Sequence, residues 1–433
     1  MGFAIGILIL IIGILLAIGL HEIGHLVPAK RFGVKVPQYF IGFGPTLWSS
    51  KRGETEYGIK AFPLGGYVRL AGMYPPARGE PARDQRGRLT LIEEARTLSR
   101  EELGPGEENR AFSSLTVPRK LIVMFGGPVM NWLLALLALL IIFVGLGVGA
   151  ATTRVAAVSE CVPQVGVSEC APGAQESPAA AAGLLSGDRI ISWAGIPVET
   201  WTDVQEAIRT GPSAQLPVVI EREGTERTLT VTPVMTERPV LDDAGQAVVE
   251  NGETLTTEVP FFGVTPTLEL VRQSPADAVA AWWTATGMTM EAVVTLPQQL
   301  WNTIASLLSP ASDDSGRSLV SVVGVGAMAG NIGGAVSEDY TLAMRTVDML
   351  SLLASLNLAL FVFNLIPLPP LDGGHIAGAL AEGARRGVAR ITGRPDPGPV
   401  DTARLLPLAY GVIGLLFLMT FILVWADIAQ PVF

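Results

Sequence analysis

Apolar and charged positions are distributed very unevenly along this chain. Residues 3–20 form a run of 18 without a charge, and further apolar runs occupy about 120–148, 342–368 and 405–425. A helix rises 1.5 Å per residue, so about 20 such residues match a hydrocarbon layer of about 30 Å. The pattern predicts four transmembrane helices, at 1–29, 120–149, 342–375 and 405–426. Segments 39–50 and 57–73 instead mix short β-prone runs with Gly and Pro, which predicts strands and turns too short to span as helices. Both lie inside a loop of 30–119 that also carries a short helix around 91–103.

Beyond the second span the pattern changes again. In 177–210, small residues lead into Gly-Leu-x-x-Gly-Asp (183–188), a β-run at 190–193, a turn, and an amphipathic helix with Val204 and Ile208 on one face. Two strand-like runs follow, so 150–238 reads as an α+β domain. Segment 274–310 sets Trp282, Trp283 and Trp301 among Glu291, Gln298, Gln299 and Asn302. Belt-like tryptophans with this polar content predict an interfacial amphipathic helix, within a stretch 239–341, rather than a fifth span.

Composition agrees with a polytopic membrane protein carrying soluble insertions, at 49% hydrophobic and 16% charged residues. The net charge of −10 conceals an asymmetry that orients the spans. Residues 30–120 hold 16 Lys+Arg against 10 Asp+Glu, and 376–404 hold 5 against 3, whereas 150–346 hold 9 against 23. The positive-inside rule therefore predicts that the first two segments are cytoplasmic and that the acidic one and the N-terminus lie outside. No Lys or Arg precedes Lys30, which argues against reading the first run as a cleaved signal peptide. Cys161 and Cys170 fall in the outside segment, where a disulfide and two buried thiols are both compatible with the sequence.

The first apolar run ends in chemistry. His21, Glu22 and His25 make H-E-x-x-H, and residues four apart on a helix share a face, so both imidazoles can meet one metal ion. Glu22 stands beside them, placed to take a proton from a water whose pKa a zinc ion lowers to roughly 7. Ionisable groups at the end of a spanning run are costly and usually functional. The chain has 3 histidines, and the third, His375, lies in P-L-P-P-L-D-G-G-H (367–375), where Asp372 offers a third, oxygen ligand. A fifth span at 274–310 would set Asp372 on the opposite side from His21, so ligand pairing also favours four.

H-E-I-G-H in a first span, together with N-x-I-P-x-P-x-L-D-G-G-H at 364–375, resembles the site-2 protease family of intramembrane zinc metalloproteases. The layout is similar to the bacterial regulator-of-sigma-E protease branch, whose outside domain is PDZ-like. The segment F-G-G-P-V-M-N at 125–131 matches a further family signature; packing alone can explain it, and it stays outside the catalytic set. The resemblance implies Zn²⁺ on His21, His25 and Asp372, with Glu22 catalytic. It implies that Asn364, Gly373, Gly65 and Gly66 contact substrate or support the ligands, that His375 is not a ligand and either supports them or is a satisfied helix-end histidine, and that about 39–73 forms a membrane-associated β-hairpin that pairs with an extended substrate. It further implies substrates among single-span membrane proteins, such as anti-sigma factors or signal-peptide remnants, an upstream site-1 protease, and residence in a bacterial cell membrane with no role for nucleic acid. Two rivals remain: a PDZ scaffold with a vestigial site, which the intact motif opposes, and a metal transporter, which the lack of an internal repeat opposes.

Overall fold

The computed structural model describes residues 1–76, 83, 89–162, 170, 173–211, 214–239, 249–250, 253–308, 320–335 and 340–429. Parts of the predicted segments 30–119, 150–238 and 239–341 lie outside these. The chain divides into two compact units, Met1–Leu146 with Arg272–Phe433, and Gly147–Val271.

The first unit opens with α1 (Gly2–Arg31), followed by β1 (Gln38–Arg52) and β2 (Thr55–Arg69), α2 (Leu91–Glu101) and α3 (Val117–Leu140). The hairpin is folded on itself: Gln38 to Ile41 of β1 pair with Glu56 to Ile59 on one side and with Gly66 to Arg69 on the other. Tyr39 donates from its hydroxyl to the Gly19 carbonyl at 2.8 Å, and Lys30 reaches the Tyr57 hydroxyl at 2.9 Å, so this sheet is fastened to α1. Phe43, Leu47, Trp48 and Phe62 of the same hairpin are exposed.

The second unit contains β3 (Val148–Val158), α4 (Pro178–Ala181), β4 (Arg189–Trp193), β5 (Ile196–Pro197), α5 (Trp201–Thr210), β6 (Leu216–Arg222), β7 (Thr225–Val231), β8 (Val234–Pro239), β9 (Val249–Glu250), β10 (Glu253–Thr254), β11 (Thr256–Phe261) and β12 (Val264–Val271). Its main sheet runs β12-β3-β4-β6-β7 and covers a core with Ile190, Trp193, Val204, Val218, Ile220 and Phe262. The unit therefore extends past the predicted boundary at 238. β12 is its edge strand, paired antiparallel with β3 from more than a hundred residues earlier, a long-range match that local pattern does not announce. Cys161 and Cys170 are disulfide-bonded.

Asp188 holds this unit's sheet to the turn before it. Its carboxylate, 1% exposed, accepts two bonds from Arg222 and one from the Leu185 N–H, all at 2.7–2.8 Å. Burial pushes its pKa up, but Arg222 and the Leu185 amide outweigh it and hold the group below its ordinary value. The stabilisation is complete above pH about 4 and is lost as pH falls through the lowered folded value. Asp188→Ala is expected to cost about 2–3 kcal/mol, since it strips a guanidinium of its charged partner. Hydrogen exchange of β4 and β6 amides in the full chain checks this, and unchanged protection at neutral pH would refute it.

The first unit resumes with α6 (Pro275–Val294), α7 (Leu296–Leu308), α8 (Val322–Gly334), α9 (Leu342–Leu365), α10 (Asp372–Ile391) and α11 (Leu406–Ala429). The segment 274–310 is thus two helices. α6 starts on a reciprocal cap between Ser274 and Asp277 and packs on α3 and α9. The Trp282 and Trp132 rings lie 3.8 Å apart, Trp282 Nε1 donates to the Trp132 carbonyl, and Phe361 stacks on Trp132 at 5.4 Å. Trp282 is buried in this packing, whereas Trp283 and Trp301 remain exposed.

α8 rests against the start of α1, where Gly2 and Gly6 face Gly333 and Ala329 so closely that a Cβ at Gly6 would collide with the Ala329 carbonyl. Two other helices hold its ends. Asp427 of α11 accepts from the Ser321 and Gly324 amides, and Arg345 of α9 donates to the Gly333 and Ala335 carbonyls, each charge matching the helix dipole.

Among the described residues four helices are long and apolar enough to cross a membrane: Gly2–Arg31, Val117–Leu146, Leu342–Leu365 and Thr402–Ile428. The third is shorter than the predicted 342–375. Pro367, Pro369 and Pro370 withhold backbone donors and stop α9, and a new helix opens at Asp372 and runs on through most of the predicted loop 376–404.

Candidate active site

Both histidines face the same way because α1 stays helical through residues 21 and 25, one turn apart. His25 Nδ1 donates to the Val123 carbonyl of α3 at 2.8 Å, which leaves Nε2 with its lone pair free to bind a metal. The two Nε2 atoms are 3.2 Å apart, and each is 3.3 Å from Asp372 Oδ2. Ligands at about 2.0–2.1 Å from a tetrahedral zinc stand about 3.3 Å from one another. The triangle therefore has the size a zinc ion requires, its donors are the nitrogen and oxygen types zinc accepts, and Asp372 Oδ2 is buried without a hydrogen-bond partner among the described residues.

Asp372 reaches this point through a tight turn. A Cβ at Gly373 would overlap the Ile366 carbonyl, and one at Gly374 would stand 2.7 Å from Pro369 N, so glycine lets α10 begin pressed against the end of α9. Gly373 is thus explained by backbone packing and does not line the cavity.

The site opens into a cavity of about 340 Å³ lined by His21, Glu22, His25, Gly66, Tyr67, Val68, Asn364, Asp372 and His375, among others. A Cβ at Gly66 would lie 3.1 Å from Glu22 Cγ and 2.9 Å from Ile18, so only glycine lets the strand come so near the carboxylate. The Val68 amide lies against Glu22. Gly65, at φ +123°, turns the chain beneath the Phe43 ring rather than into the cavity. The structure therefore brings together His21, Glu22, His25, Asp372, Gly66 and Asn364, with His375, and leaves Gly65 and Gly373 to shape backbone.

Gly127 is a residue that the sequence reading left aside. It lies directly against the ligands: an added Cβ would stand 2.2 Å from His25 Nε2 and 2.7 Å from His21 Nε2. Its neighbour Gly126 meets Gly24 of α1 so closely that neither position has room for a side chain. The signals in the sequence are a Gly-Gly pair inside an apolar helix and its place in the 125–131 signature, both of which ordinary helix packing also explains. Asn131, one turn further on, is buried but does not line the cavity.

The three donors, with Glu22 beside them, could hold one metal ion, and α1, which carries two of them, is long and apolar enough to cross a membrane. The chain belongs to peptidase family M50, the site-2 protease family, whose model matches residues 9–392. It is similar to zinc metalloprotease Rip1 of Mycobacterium tuberculosis, at 34% identity over 100% of this chain and 99% of that protein. It is also similar to zinc metalloprotease RasP of Geobacillus kaustophilus, at 27% identity over 95% and 94% of the two chains, and to metalloprotease MmpA of Caulobacter vibrioides, at 29% over 86% of each. The protein is a zinc metalloprotease of the membrane.

Proposed function

We propose that this protease cuts transmembrane segments of single-span membrane proteins, presented as an extended strand along the edge of β2 at Gly66 to Arg69. The observation that carries the reading is the shared cavity, in which the three metal-sized donors, Glu22 and that strand edge meet. On its other side this edge pairs with no strand among the described residues. A peptide bond inside a helix is shielded, so a substrate must be drawn out, and unpaired backbone groups can hold it so.

His21, His25 and Asp372 are the proposed zinc ligands. Zinc held there supplies Lewis acidity, polarising a carbonyl and easing deprotonation of water. Glu22 takes a proton from the attacking water as its oxygen bonds to the scissile carbon. As the C–N bond breaks, Glu22 passes that proton to the departing amine. Val123 fixes the His25 ring, and Asn364 can orient the substrate carbonyl or Asp372.

The second unit is proposed to be a PDZ-like filter outside the cell membrane. Supporting this are its disulfide, which suits an oxidising compartment, and a groove of about 330 Å³ between α5, with Trp201, Gln205 and Ile208, and residues Val259 to Val264. β11 pairs with β8 along one edge, and the groove suits a peptide added along the other. In this reading the N-terminus is also outside and the metal site lies toward the cytoplasm. Anti-sigma factors and signal-peptide remnants, trimmed beforehand by a site-1 protease, are the substrates that the family resemblance suggests.

One experiment tests both halves. In proteoliposomes, a single-span substrate with its outside domain removed is expected to be cut within the span, and the same substrate with that domain intact to be spared. Ile208→Arg, which fills the groove, is expected to blur that distinction. Cleavage confined to soluble loops would defeat the first half, and unchanged discrimination the second.

A further inference from the structure

α10 carries a feature that the catalytic reading does not use. One side is packed: Ala379, Glu382 and Ala389 are buried, Glu382 bonds Lys120 at 2.8 Å and the Val400 amide at 3.2 Å, and Arg386 is held between Glu382 and Asp396. The opposite side is a continuous apolar stripe. Leu380, Val388 and Ile391 are 54%, 58% and 87% exposed, with Ala384 and Gly387 exposed between them. At 100° per residue these five fall within one third of the helix circumference.

Exposed arginines flank the stripe, with Arg385 on one border, Arg390 on the other, and Arg394 just past the helix end. Unlike Arg386, none of the three has an ion-pair partner among the described residues. Glu382 is the sole acidic residue from Gly373 to Arg394, and it is buried. α10 begins six residues beyond α9, a helix long and apolar enough to cross a membrane, so a bilayer surface is within reach.

We propose that this face of α10 docks on anionic phospholipid, the apolar stripe entering the acyl boundary while Arg385, Arg390 and Arg394 bind headgroup phosphates. An apolar face bordered by basic residues is what an interfacial helix presents, and guanidinium groups match phosphate oxygens in pairs. Charge complementarity selects the occupant, since a zwitterionic surface, whose phosphates are balanced by its own ammonium groups, would leave the net charge of three arginines uncompensated. The inference rests on the reading of α9 as a membrane span and not on the protease mechanism.

The test reads lipid contact rather than cleavage. Both native cysteines are in a disulfide, so bimane coupled to Ile391→Cys labels one site of the full chain. In nanodiscs, brominated phosphatidylglycerol mixed with phosphatidylcholine is expected to quench the label strongly, and brominated phosphatidylcholine alone only weakly. Each arginine changed to Gln is expected to weaken this preference about fivefold. R385K/R390K/R394K should keep it, which separates lost charge from lost fold. Equal quenching in the two lipids, or no loss in R385Q/R390Q/R394Q when the Lys variant behaves as wild type, would overturn the proposal.

Discussion

Glu22→Gln is expected to lower cleavage of a single-span substrate by about a thousandfold or more while bound zinc stays at the wild-type level. The carboxylate is not one of the three donors in the metal-sized triangle, and Gln preserves its shape, so the ligands keep their geometry. What is lost is the group that accepts the proton from water and returns it to the amine, a contribution of about 10²–10⁴ in rate. Elemental analysis of the purified variant beside a cleavage assay separates the two effects. Equal cleavage by variant and wild type would remove Glu22 from the chemistry, and loss of zinc along with activity would make it a structural group.

Gly127→Ala should be almost as damaging, by a different route. In the middle of a helix this exchange is ordinarily favourable by about 1 kcal/mol. Here the added methyl would stand 2.2 Å from His25 Nε2 and 2.7 Å from His21 Nε2, closer than either atom can tolerate. Either the imidazoles turn away or α3 retreats from α1, and in both cases the triangle opens. We expect zinc content to fall well below one ion per chain and cleavage to fall with it. Gly145→Ala serves as control, because a Cβ there meets nothing within 4 Å. Full zinc retention in Gly127→Ala would show that α3 is not the wall of the metal site.

How much of this was legible in the sequence depended on the range of the interactions involved. The i, i+4 spacing of His21 and His25 is a property of one helix and can be read from a string of letters, whereas the expected span at 342–375 runs straight through the prolines that in the structure stop α9 before Asp372. The meeting of α1 with α10 was reached only through chemistry, because three donors needed a common centre. Gly127 matters through a contact between two helices that no local periodicity encodes. The same holds for β12, whose partner β3 is distant in sequence, and for Trp282, whose belt-like setting concealed a buried stack with Trp132. The glycines divide similarly: Gly66 touches the site, but Gly65 and Gly373, grouped with it by the family resemblance, answer to backbone geometry.

The doubled pairing of β1 bears on where a substrate is cut. Because Gly66 to Arg69 pair with Gln38 to Ile41, which are themselves held by Glu56 to Ile59 on the other side and by the Tyr39 hydroxyl to α1, the outer edge cannot drift relative to the metal donors without breaking its ladder to that anchored segment. Along such an edge the outward-facing amides and carbonyls recur every second residue. A guest chain laid on it can change position only in steps of two, since a single step would set donor against donor and turn every side chain over. If substrate docks there as proposed, the sheet would act as a ruler with a two-residue graduation, and the fragments released from one substrate would differ in length by even numbers.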